Sequence, residues 1–103
     1  MMKIAKIVEY ISDELDMACS YAECALMNKD SDKPLAETYH ELAEEEMTHY
    51  QKLHKQVVRI IADYKKEHGD APVEMTAVWN HEHKRMIQRA AKIRVMLNQY
   101  ENA

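Results

Sequence analysis

The stretch "LAETYHELAEEEMTHYQKLHKQVVRII" runs from Leu35 to Ile61. Leu35, Tyr39, Leu42 and Leu53, then Gln56/Val57, Ile60 and Tyr64, fall on intervals of four and three, the signature of one helix face. Glu46 and His49 fill the two places between Leu42 and Leu53, whereas Glu44 and Glu45 fall outside the stripe. The pattern therefore predicts a helix over about 35–67 whose apolar seam carries a carboxylate and an imidazole on successive core positions. Unpartnered, such buried ionisable groups cost several kcal/mol each. A second Glu-x-x-His, Glu37 and His40, lies off this seam and is expected to face solvent. The register, and not the spacing alone, makes the Glu46/His49 copy informative.

Working outward, two breaks flank this helix. "NKDSDKP", Asn28 to Pro34, offers an Asp/Ser N-cap with Pro34 in the first turn. "HGDAP", His68 to Pro72, places a terminating Gly69 before Asp70, the expected next cap, and Pro72 in the following first turn. The first helix is expected over about 3–27, with Ile4, Val8, Ile11, Leu15, Ala18, Ala22 and Ala25 as its seam and Ile7 and Glu14 on one flank. The third is expected over about 73–100, with Trp79, His83, Met86, Ala90, Ile93, Leu97 and Tyr100 as its seam. One glycine, two prolines and no phenylalanine in 103 residues suit long helices and not a sheet of many turns. The expected fold is all-α: one domain over 1–103, an up-down-up bundle of three long helices.

Composition excludes several classes. No apolar run approaches the roughly 20 residues of a membrane span. The N-terminal "MMKIAKIVEYISDE" is charged in its first turns, unlike a signal peptide. A soluble, cytoplasmic protein is expected. Cys19 and Cys24 diverge by roughly 140° on a helix, so they neither pair nor grip one zinc. The first 50 residues hold 4 Lys/Arg against 12 Asp/Glu, and the remainder 10 against 6. The basic face of Lys84, Arg85, Arg89, Lys92 and Arg94 is expected to be solvated or paired within the chain. Nucleic acid is not an expected partner of an acidic chain without a recognition helix. "HEHKRM" has Arg85 where a zinc-protease signature needs histidine. His54 and His81 lie off the seams and are expected to be solvated, and His83 is expected to be a core histidine.

Short connections make successive helices antiparallel neighbours. Reflection through the first break sets residue 46 level with about residue 15, and residue 49 with about residue 12, close to Glu14. Reflection through the second sets Ala90 and Ile93 at the same layer, the alanine leaving space, and places Glu82 and His83 elsewhere. Glu14, Glu46 and His49 are thus the candidate metal ligands. Glu and His at i and i+3 point the same way, and a facing helix adds a carboxylate.

"AETYHELAEEEMTH" (Ala36, Tyr39, Leu42, Ala43, Glu46, His49), with Glu14 upstream, resembles the ligand helix of rubrerythrin-like and other ferritin-like proteins. The resemblance covers about residues 4–65. It implies a non-haem di-iron site, manganese and zinc being the other candidate metals, with oxygen or peroxide as oxidant if iron chemistry occurs. The chain departs from the family's pattern. Glu82-x-x-Arg85 stands where a second ligand pair would be, the Gly69 break is too short for a long crossover, and no cysteine-rich iron module is present. The chain therefore carries half a site. One expectation is a two-fold homodimer, or higher homo-oligomer, joining two copies of Glu14, Glu46 and His49. Another is a three-helix monomer with one metal or none. The alternative function is a non-catalytic helical module that binds a partner chain.

Overall fold

Asp32 starts the second helix. Its carboxylate accepts the Leu35 N–H at 3.2 Å, and Pro34 lies in the first turn, where a missing N–H costs nothing. The computed structural model describes residues 2–102, without the side chains of Met2 and Met75. Three helices account for nearly all of them: α1 (Met2–Asn28), α2 (Lys33–His68) and α3 (Val73–Asn102). Asp32→Ala is expected to cost about 1 kcal/mol, read as a lower urea midpoint at an unchanged slope. Gly69 closes α2 with φ 78°, a left-handed conformation that disfavours any Cβ, and its N–H donates to the Lys65 carbonyl at 2.9 Å.

The start of α3 differs from expectation. Asp70 is exposed and pairs with Lys65 at 3.8 Å instead of capping. Pro72 precedes the helix, and its carbonyl accepts the Thr76 N–H at 3.0 Å. Proline locks its own φ but leaves its carbonyl free to open the helical ladder.

The chain folds up, down and up. Glu14 meets His49 and Tyr21 stacks near Tyr39, so α1 and α2 are antiparallel. Arg89 donates to the Ser12 hydroxyl and carbonyl and pairs with Asp16, while Lys29, just past the end of α1, donates to the Tyr100 carbonyl, so α1 and α3 are parallel. This places part of the basic face against the acidic first helix. The rod measures 55 × 19 × 17 Å, and its long dimension is that of α2.

Alanine decides the packing. Ala18, Ala22 and Ala25 of α1 and Ala36 and Ala43 of α2 are buried, so these helices approach closely. Bulkier His40, Met47, Tyr50, His54, Trp79 and Tyr100 hold α2 and α3 apart; that pair approaches least closely of the three. The α1 seam is buried as its spacing predicts, except that Val8 is only half-buried; α3 buries Met86, Ala90 and Ile93. The α2 seam does not match. The buried line is Ala36, His40, Ala43, Met47 and Tyr50, one residue or about 100° from the expected stripe, and it meets that stripe only at Val57. Helix α2 meets α1 on one flank and α3 on the other, so its buried arc centres on small and amphipathic residues and not on its leucines.

Candidate metal centre

The rotation of α2 moves Glu46 and His49 from the seam to its edge. Glu46 is half-buried, its side chain 19 % exposed, and His49 is 52 % exposed. The expectation that both point into the core is therefore corrected. Their neighbourhood is nonetheless the expected one. His49 Nδ1 lies 3.2 Å from Glu14 Oε2 and 3.6 Å from Glu46 Oε2, and the three donor atoms lie within 4.8 Å of one another. Helices α1 and α2 supply all of them. Ala90 and Ile93, expected to back this layer, are in the core on α3, which contributes no donor.

The local chemistry favours a cation. One imidazole nitrogen faces two carboxylates and can donate at most one hydrogen. Among the described residues no Lys or Arg pairs with Glu14 or Glu46. Two carboxylate oxygens and one nitrogen suit zinc, manganese or iron better than a thiolate-seeking ion. Donors each about 2.1 Å from a common ion are about 3–3.4 Å apart, close to the 3.2 and 3.6 Å between His49 Nδ1 and the two carboxylates.

Two histidines depart from the sequence reading. His40, expected to face solvent, is buried and stacks on Tyr100 with ring centroids 4.4 Å apart. Its Nε2 lies 3.2 Å from Glu44 Oε1 and 3.3 Å from Glu101 Oε1. Reflecting residue 40 through the second break lands at about residue 100. That signal was present in the sequence, but the apparent seam assigned His40 to the outside. Glu37 is exposed as expected.

His54, also expected to be solvated, stacks on His83 at 4.9 Å between α2 and α3, beside Tyr50 and Trp79. Its Nε2 is buried without a partner. Burial, and then the nearby His83, pull its pKa below 6.5. The unfolded chain thus binds more protons than the folded one at mildly acidic pH. Stability from this site is full above about pH 6.5 and falls as pH drops toward the folded value. His54→Phe is expected to flatten the decline in melting temperature between about pH 7 and 5; an unchanged slope would assign the decline to other groups. His83 is half-buried, and His81 is exposed as expected. Cys19 and Cys24 are free, and burial raises the Cys19 thiol above its usual pKa, with Glu23 adding to the effect.

No family model, curated protein or solved structure matches the chain. No described helix is long and apolar enough to cross a membrane.

Proposed function

We propose that this protein is a small ferritin-like metal-binding protein, with iron as its first-choice metal, and that Glu14, Glu46 and His49 are the ligands. The observation that carries the reading is the meeting of three donors from two helices, with no Lys or Arg paired to the two acids among the described residues. Glu46 supplies a carboxylate from α2 and His49 a nitrogen one turn on. Glu14 supplies the opposing carboxylate from α1. Bound iron would supply redox chemistry toward oxygen or peroxide, a step that rests on the family resemblance alone.

Three protein ligands leave a metal open to one side, and His49 is exposed on that side. On the neighbouring turns of α1, Tyr10 and Met17 are 48 % and 44 % exposed. Helix α3 contributes no donor to this flank. A second copy related by a two-fold axis would cover it and bring two more carboxylates and an imidazole to each pair of sites. The same exposed apolar residues favour the second reading, a metal-free module whose α1–α2 face takes a partner helix.

Elemental analysis combined with light scattering separates the two. Stoichiometric iron, manganese or zinc, with a dimer or larger assembly that dissociates on chelation, is the expected result. A metal-free chain whose mass ignores added Fe²⁺ would leave the interaction module.

A further inference from the structure

A second donor set lies about two turns from the first on α2 and on its opposite flank, against α3. His40 is 9 % exposed, and its ring is held flat on Tyr100. Its Nε2 is aimed between the carboxylates of Glu44, one turn on, and Glu101, from the last turn of α3. These three donor atoms also lie within 4.8 Å of one another. Nδ1 is buried and unpartnered, so the ring has no alternative polar attachment among the described residues. We propose that His40, Glu44 and Glu101 bind a divalent transition cation that clasps the C-terminal end of α3 onto α2.

Charge and geometry both support a cation here. A neutral imidazole offers one hydrogen to two carboxylates, so one acid goes without and the two repel. A bound cation engages all three donors. Helix α3 ends in carbonyls and has no basic residue in its last turn, which adds negative potential beside Glu101. Arg94 lines a surface cleft with Glu44 but forms no ion pair with it. Lys29 donates to the Tyr100 carbonyl and lies 4.8 Å from the Tyr100 ring centroid. It pairs with neither Glu44 nor Glu101. Both carboxylates are half exposed, so an ion can enter from solvent, while the buried imidazole is already oriented. The clasp would sit across the helix pair that approaches least closely.

The donor set of one nitrogen and two oxygens makes Zn²⁺ a suitable probe. The inference stands apart from the assignment of Glu14, Glu46 and His49, and the test is built to keep them apart. In an E46A/H49A chain, calorimetric titration with Zn²⁺ is expected to retain one binding event per chain. Adding E101Q, or separately E44Q, is expected to weaken that event at least tenfold and to remove the Zn²⁺-dependent rise in melting temperature. Both substitutions lie at half-exposed positions and preserve side-chain volume; circular dichroism checks that the helices remain. In the unaltered chain, Zn²⁺ is expected to shift the amide resonances of Tyr100 and Glu101 separately from those of Glu14 and His49. No Zn²⁺ binding by E46A/H49A, or binding indifferent to both E44Q and E101Q, overturns the proposal.

Discussion

Glu46→Ala is expected to weaken metal binding at the α1–α2 site on the order of 100-fold, because loss of even an outer-shell partner can cost 10–100-fold. The melting temperature of the metal-free chain should change little. Glu46 is only half-buried, and its partner His49 can turn to water. The removed carboxylate also relieves repulsion with Glu14, so metal-free stability could rise slightly while metal affinity falls. That opposite movement distinguishes a ligand from a structural residue, whose loss lowers both. Glu46→Gln refines the test: it keeps volume and a carbonyl oxygen but loses the charge, and should still lose most of the affinity. Competition of Fe²⁺ or Zn²⁺ binding against a chromophoric chelator reads the change directly. Equal affinities in the variant and the parent would remove Glu46 from the site.

Leu15→Ala should produce the largest loss of stability, about 3 kcal/mol within the 2–5 kcal/mol range for emptying a packed core position. Leu15 is fully buried. It is surrounded by elements that cannot easily collapse onto the gap, since the close approach of α1 and α2 is already set by alanines. A domain of this size has about 5–15 kcal/mol in total, so the variant should lose a large share of its cooperative transition. Denaturant unfolding followed by circular dichroism checks the value. A loss below about 1 kcal/mol would mean that the helices close over the cavity, contrary to rigid alanine-lined packing. Leu15 neighbours Glu14 in sequence, but its side chain points inward. Metal affinity in Leu15→Ala, measured well below the melting temperature, should therefore remain within a few-fold of the parent.

The first helix was legible because its seam mixes large residues with alanines at one unbroken four-three spacing. The breaks were legible because Asp32, Pro34 and Gly69 each answer a specific backbone need. The phase of α2 was not, for a physical reason. A helix between two neighbours buries a wide arc, and the residue type at its centre is chosen by how close the neighbours come. Alanines at 36 and 43 mark that centre more faithfully than the leucines beside them. Amphipathic His40 and Tyr50 can be buried there because each pairs a flat apolar ring with a polar edge. The meeting of Glu14 with His49 survived the error of phase. It depends on level along the rod, which the short loop fixes, and it tolerates a turn of about 100° because long side chains reach around the edge. His54 and His40 were missed because their partners, His83, Tyr100 and Glu101, come from α3, where aromatic rings hold the helices apart and make room for polar edges.

The most direct test is a crystal structure of the protein grown with Fe²⁺ under anaerobic conditions, with anomalous data collected on both sides of the iron edge. The account predicts an iron peak bound by Glu14, Glu46 and His49 Nδ1, at distances of about 2.0–2.3 Å. Iron absent from that position, with His49 turned to bulk water and Glu14 and Glu46 bonded elsewhere, would contradict it.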